Sequence, residues 1–310
     1  MITRADVDQA AARIEGRVRR TPVLKLDAAN SPGEVWLKCE FMQLTGTFKA
    51  RGAFNRILGC QERGELDPAV GIVVASGGNA GLANAHAATA AGVPATVFVP
   101  LSSPQVKVDK LRKAGAAVVQ EGAEYADAYG LAVAYAEEKG AVYCHAYDQP
   151  DIAAGAGTIG LELLEQLDGV DTVLVAVGGG GLMAGVAAAL EGHATVIAVE
   201  PENAPSLHAA LAAGEPVDVA ISGIAADSLG ARRIGSIGFD VAVRTGVQSV
   251  LVSDEAIAAA RTFLWENYRI VLENGAAAAY AALQCGAYVP RTDERVAVIL
   301  CGANTDPAGL

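Results

Sequence analysis

Short apolar runs rich in β-branched residues alternate along the chain with alanine-rich stretches of helical period. Six runs read as strands buried on both faces: 71–75, 95–99, 141–144, 172–177, 195–199 and 295–300. Helical segments follow most of them. Near the start, Val7, Ala11, Ile14 and Val18 repeat at helical spacing. Residues 103–115 open with Ser103-Pro104 and close on Gly115, with Lys110, Arg112 and Lys113 in the last turns, which suits the helix dipole. Ser253 before Asp254 and Glu255 opens another helix that runs to about Asn267. This alternation predicts an α/β fold with a mostly parallel sheet. No linker marks a boundary, and the pattern groups the strands into blocks at about 70–147 and about 150–310.

Residues 173–190 carry no charge, and that length raises the question of a membrane span. Gly178, Gly179, Gly180 and Gly181 interrupt it, and each glycine costs about 1 kcal/mol inside a helix. The expected structure is strand, glycine loop, helix.

Composition narrows the function classes. A chain of 310 residues fits two domains or one large α/β unit, and it can bury a substantial core without disulfides. Its 23 basic and 35 acidic residues give a net charge of −12, which excludes nucleic acid and anionic membrane as expected partners. Cys39, Cys60, Cys144, Cys285 and Cys301 are scattered, and the N-terminus has no apolar signal segment, so a reducing cytoplasm is expected. His86, His145, His193 and His208 show no zinc spacing.

Three glycine-rich turns follow strands, where open α/β sheets bind ligands. The first is Ser76-Gly77-Gly78-Asn79-Ala80-Gly81, which reads either as an anion site at a helix start or as an ordinary capped turn. The second, Gly178 to Gly181, suits a phosphate cradle. It also satisfies the dinucleotide fingerprint through Gly179, Gly181 and Ala184, with Glu200 as the ribose ligand, so an NAD-dependent oxidoreductase stays open. The third is Cys301-Gly302-Ala303-Asn304, whose thiol is either a nucleophile or a small residue closing a strand. Lys49, in Thr45-Gly46-Thr47-Phe48-Lys49-Ala50-Arg51-Gly52-Ala53, sits at an expected helix start. It reads either as an amine nucleophile with a depressed pKa or as a solvated surface lysine.

In order, these segments resemble the fold-type II pyridoxal-phosphate enzymes, and among them the serine/threonine dehydratases of threonine ammonia-lyase type. Thr21-Pro22-Val23-Leu24 is similar to the family's R-T-P-L, and residues 46–53 to its G-S-F-K-x-R-G-A. Ser76 to Asn79 is similar to S-x-G-N, His145 to Pro150 to H-P-F-D-D-P, and Gly178 to Leu182 to G-G-G-G-L. The resemblance runs from about residue 15 to 305. It implies two open, twisted, mostly parallel sheets with flanking helices. It implies a large cofactor-binding domain of residues 1–69 and 148–310, and a small domain of residues 70–147 carrying the substrate loop. It implies pyridoxal 5'-phosphate as cofactor, a homodimer, and elimination of water from L-threonine, L-serine or a related β-hydroxy amino acid.

By the same resemblance, Lys49 would hold the cofactor as a Schiff base and then take the substrate α-proton. Phe48 would pack on the ring, Asn79 would bond its hydroxyl, and Cys301 would face its nitrogen. Gly178, Gly179, Gly180 and Gly181 would hold the phosphate. Ser76, Gly77, Asn79 and Ala80 would line the substrate. Glu200 and Ala204 match two positions of the family's cation site. Ser206 stands where divalent-binding members have Asp, so a monovalent ion is expected.

Departures shape the expectation. Family racemases carry a serine at the position of Gly77, which has no side chain to act as a second base. Ala80 replaces a family histidine, Asp227-Ser228 an Asp-Gly, and Glu273-Asn274 a Glu-Pro. No regulatory domain follows residue 310, so the allosterically inhibited biosynthetic type is not expected. Pyridoxal-phosphate β-replacement or threonine-synthase-like chemistry, and cofactor binding without catalysis, remain as alternatives.

Overall fold

The computed structural model of the chain describes residues 1–27 and 32–309. Ten strands occur among the described residues: β1 (Val23–Lys25), β2 (Glu34–Lys38), β3 (Ile72–Ala75), β4 (Ala95–Val99), β5 (Ala117–Gln120), β6 (Val142–Tyr143), β7 (Thr172–Ala176), β8 (Thr195–Pro201), β9 (Gln248–Val252) and β10 (Arg295–Ile299). They form a six-stranded sheet, β1-β2-β10-β7-β8-β9, and a four-stranded sheet, β5-β4-β3-β6. Only the β1–β2 pair is antiparallel. Helices flank both sheets, so the architecture is α/β with two mostly parallel sheets.

The central strands β3, β4 and β7 are buried along their whole length, as parallel strands covered on both faces must be. The strands β1, β2, β5 and β9 have half-buried or exposed positions among them, so they lack the continuous apolar run that marks the other six in the sequence. The uncharged stretch 173–190 resolves into β7, the glycine loop and the helix Gly181–Leu190. Among the described residues no helix is long and apolar enough to cross a membrane. Ser253 caps the helix Asp254–Tyr268, its hydroxyl accepting from the Ala256 amide at 3.2 Å.

Three helices carry the architecture to one place. The helix Pro150–Gln166 lies against the helix Gly181–Leu190, with Gly157 and Gly185 at the crossing. A Cβ built on Gly185 would come 2.1 Å from the Ala153 carbonyl, so only glycine permits this approach. On its other side, Pro150–Gln166 meets the helix Lys49–Glu62. That third helix buries Ala50, Ala53, Phe54 and Ile57 in the core beneath the small sheet. It therefore bridges the two sheets.

A buried charge network fixes the start of that helix. All five N–H groups of Arg51 have acceptors. Nε and Nη2 reach the two Glu40 oxygens at 2.9 and 2.8 Å. Nη1 reaches Glu162 at 2.7 Å and the Thr158 hydroxyl at 3.0 Å, and Nη2 also reaches the Arg19 carbonyl at 3.3 Å. Lys38, equally buried, donates to Glu162 at 2.5 Å, to Gln166 at 2.7 Å and to the Thr21 carbonyl at 2.8 Å. Such a network gains little over apolar packing, but removing one member strands the others. Arg51→Met is expected to lower folding stability by about 3–5 kcal/mol, read as a lower urea midpoint. An unchanged midpoint would show that the network does not hold the helix start.

Candidate active site

The segment before Lys49 is zipped to the segment after β10. Thr47 and Gly302 form an isolated antiparallel bridge. The Phe48 amide donates to the Cys301 carbonyl at 3.1 Å, and the Ala303 amide to the Gly46 carbonyl at 3.0 Å. Thr45, with φ of 63°, holds the turn in left-handed backbone, a conformation that costs energy and recurs at functional sites. This pairing puts the first helical residue, Lys49, beside Cys301. The Lys49 amine donates to the Ala146 carbonyl at 2.7 Å and lies 4.9 Å from the Phe48 ring centroid. Loss of solvation lowers its pKa to about 8, while Cys301 and Glu273 nearby oppose the shift. Lys49 is half-buried, with its amine turned to the Ala146 carbonyl, so it is not a freely solvated surface lysine.

The Ala146 carbonyl leads directly to the glycine loop. A Cβ on Gly179 would lie 2.4 Å from the Tyr147 ring, and one on Gly181 would lie 2.6 Å from the Tyr147 carbonyl. Gly180 adopts φ of 88° and caps the helix Gly181–Leu190. Gly178 presses against the Leu229 backbone, where a Cβ would come within 2.9 Å. The loop is thus a side-chain-free cradle at a helix N-terminus, where amides and dipole favour an anion. Tyr147 is held in turn. The His145 ring accepts from the amides of Tyr147 at 3.2 Å and Asp148 at 2.9 Å. Asp148 accepts from the Ser236 and Ile237 amides, each at 3.0 Å.

Across from Lys49, the first turn begins the helix Asn79–Ala91. Asn79 donates to both Glu273 oxygens, at 2.9 and 3.0 Å, and accepts from Asn304 at 2.8 Å. Gly77, Gly78 and Asn79 line a cleft with Leu82, Lys107, Asp227, Glu273 and Asn304. Lys107 closes one side through an ion pair with Asp227 at 2.7 Å. Ser76 is half-buried and accepts from the Gly78 amide at 3.3 Å, while Ala80 is buried in the helix behind the loop. Burial pushes the Cys301 thiol well above its usual range, and Glu273 adds to the shift, so it stays neutral and is a poor nucleophile.

Glu200 and Ala204 lie apart from this cleft. Glu200 accepts from the amides of Leu207 at 2.7 Å and His208 at 2.8 Å and from the Ser249 hydroxyl at 3.1 Å, with the Ser206 oxygen 3.4 Å away. Burial raises its pKa to about 7. Ser206 donates its one hydroxyl proton to the Gly178 carbonyl at 2.7 Å, which places the glycine loop beside Glu200. Ala204 is buried in the turn between them.

A family model described as "Pyridoxal-phosphate dependent enzyme" matches residues 14–302. The chain belongs to the pyridoxal-phosphate dependent enzymes. It is 36% identical over 311 residues to an L-threonine ammonia-lyase of Thermotoga maritima, a match covering 99% of this chain and 76% of that protein. It is 37% identical over 303 residues to a phenylserine dehydratase of Ralstonia pickettii, covering 96% and 91%. The crystal structure of a serine racemase from Dictyostelium discoideum superposes with a TM-score of 0.91 at 32% identity, covering 98% of this chain and 99% of that one. The protein is a fold-type II pyridoxal-phosphate-dependent carbon–oxygen lyase of the dehydratase type.

The NAD reading is corrected by this match. Its physical weakness is Glu200, whose carboxylate is spent on the start of the next helix and is not offered to a ribose. The residues present fit pyridoxal phosphate: a desolvated amine for the aldehyde, a side-chain-free anion cradle, and a neutral thiol near the amine. When bound, the cofactor supplies an electron sink for bonds broken at the substrate α-carbon.

What the sequence signalled least were Tyr147 as the cover of Gly179, and Asn304 and Glu273 as the partners of Asn79. Two tests follow from the geometry. Gly179→Ala, blocked by the Tyr147 ring, is expected to abolish cofactor binding, whereas Gly78→Ala, with nothing within 4 Å of its Cβ, retains it. Equal binding in both, by cofactor titration, would contradict the cradle. Only the free amine attacks an aldehyde, so cofactor capture by the apoprotein is expected to fall as pH drops through about 8. A fall centred near the ordinary lysine pKa of about 10.4 would contradict a buried Lys49.

Proposed function

We propose that the enzyme eliminates water from L-threonine, L-serine or a closely related β-hydroxy amino acid, yielding a 2-oxo acid and ammonia. The observation that carries this reading is Lys49, a desolvated amine poised as base, facing a substrate loop whose second residue, Gly77, has no side chain. Substrate carboxylate would sit on the loop formed by Ser76, Gly77, Asn79 and Ala80. Lys49 would take the α-proton, and the β-hydroxyl would leave as water. With no group at Gly77 to return a proton from the opposite side, elimination is favoured over racemisation. Phe48 would support the ring, Asn79 its hydroxyl, Cys301 its nitrogen, and Gly178, Gly179, Gly180 and Gly181 the phosphate.

The neutral Cys301 thiol supports the same chemistry. A carboxylate there would keep the ring nitrogen protonated and favour a long-lived carbanion, whereas a thiol does not. Residues 70–147 would act as a small domain over a large one made of 1–69 and 148–310. A monovalent cation would bind at Glu200 and Ala204, with a lone pair of the Ser206 hydroxyl as a further ligand while its proton stays on the Gly178 carbonyl. It would act on the phosphate loop through the Ser206–Gly178 bond. We also infer a homodimer working in the cytoplasm; the five unpaired cysteines support a reducing compartment.

The test is 2-oxo acid formation from L-serine and L-threonine with cofactor supplied. Lys49→Ala is expected to lose at least about a thousandfold in turnover, since it removes both the cofactor anchor and the base. Undiminished turnover in Lys49→Ala would overturn the mechanism. Absence of any 2-oxo acid from wild-type holoenzyme would overturn the substrate assignment.

A further inference from the structure

Glu273 and Asn304 are given no role by the resemblance or by the reaction proposed above, yet between them they hold Asn79. The Asn304 amide nitrogen donates to the Thr45 carbonyl at 2.9 Å, so that end of Asn304 must be the donor. The same nitrogen donates to the Asn79 carbonyl oxygen at 2.8 Å. On the other side, an ionised carboxylate only accepts, and both Glu273 oxygens take the Asn79 nitrogen, at 2.9 and 3.0 Å. A donor on one side and an acceptor on the other leave the Asn79 amide a single orientation.

The backbone is cut away to admit both side chains. A Cβ on Gly302 would lie 2.5 Å from a Glu273 oxygen, and one on Gly46 would lie 2.9 Å from the Asn304 oxygen. Gly46 and Gly302 flank the Thr47–Gly302 bridge that places Lys49. The Glu273 amide also donates to the Gly302 carbonyl at 3.2 Å. The two residues that orient Asn79 are therefore built into the segment that presents the amine and the thiol.

We propose that Glu273 and Asn304 are positioning residues, which together set the end of the Asn79 amide that faces the cofactor ring. The proposal goes beyond the dehydratase reading and does not depend on which substrate is used. Burial raises the Glu273 pKa, opposed by the Asn79 hydrogen bond; Asp227 raises it further, and Lys49 and Lys107 lower it. Cys301 also faces it. Protonation would turn one Glu273 oxygen into a donor and remove one of the two acceptors that hold the Asn79 nitrogen, leaving Asn304 alone to grip the amide firmly. Glu273 thereby links the charge state of the cleft to how tightly Asn79 is held.

The experiment uses holoenzyme of wild type, Glu273→Gln and Asn304→Ala. It reads the pyridoxal-phosphate dissociation constant, the absorbance band of bound cofactor against pH, and thermal unfolding of each apoprotein. Glutamine keeps the shape of Glu273 but replaces one of its two acceptors by a donor, so it weakens the hold on the Asn79 nitrogen while Asn304 keeps its own. Each variant is expected to weaken cofactor binding about tenfold or more, the scale of one charge-assisted hydrogen bond. Each is also expected to displace the pH midpoint of the absorbance band while apoprotein unfolding is little changed. A merely structural role would lower the unfolding temperature and leave the band where it was, and that result overturns the proposal. Wild-type affinity and band position in both variants overturns it equally. If Glu273→Gln does not fold, Asn304→Ala decides by the same readings.

Discussion

The guanidinium of Arg51, buried with every N–H satisfied, binds together the parts of the chain that must meet to place Lys49. Glu40 follows β2, Glu162 and Thr158 lie on the helix Pro150–Gln166, and Arg51 itself is two residues past Lys49. A lysine amine held out of water is costly, and its neighbourhood has to be rigid for the cost to become reactivity and not collapse. Rigidity comes from the charge network on one side and the glycine crossings of three helices on the other. The motif around Lys49 thus places in one turn of helix both the amine proposed to meet the cofactor and the cation that locks its helix.

From that anchor the site divides between the two sheets. The large sheet supplies the glycine cradle after β7 and the Cys301 thiol after β10. The small sheet supplies the Ser76 to Asn79 turn after β3. Both contributions come from carboxyl ends of parallel strands, as the general rule for open α/β sheets requires. The cleft between them is spanned by Asn79 to Glu273 and to Asn304, and by Lys107 to Asp227.

Much of this was legible in the sequence because the site is made of backbone. Glycine runs after apolar strands mark candidate anion cradles, and Lys49 stands out from a surface lysine only through the family resemblance of the segment around it. The buried strands were legible for a similar reason, since two covered faces leave an unbroken apolar run. β1, β2, β5 and β9 were not, because their partly exposed positions interrupt any such run. Nor was Tyr147 on Gly179, or Asn304 on Asn79. Those contacts join residues far apart in the chain, and only the closed fold says which side chain fills the space a glycine leaves. Glu200 shows the opposite hazard: its spacing fits a ribose ligand, while its surroundings make it the partner of a helix N-terminus.

The central claim is that Lys49 is the residue that takes the cofactor. It is tested most directly by loading the apoprotein with pyridoxal phosphate, reducing with borohydride, digesting, and locating the modified lysine by mass spectrometry. The account expects the pyridoxyl group on the peptide containing Lys49 and on no other. Modification spread over surface lysines such as Lys110 and Lys139, with Lys49 untouched, would contradict it.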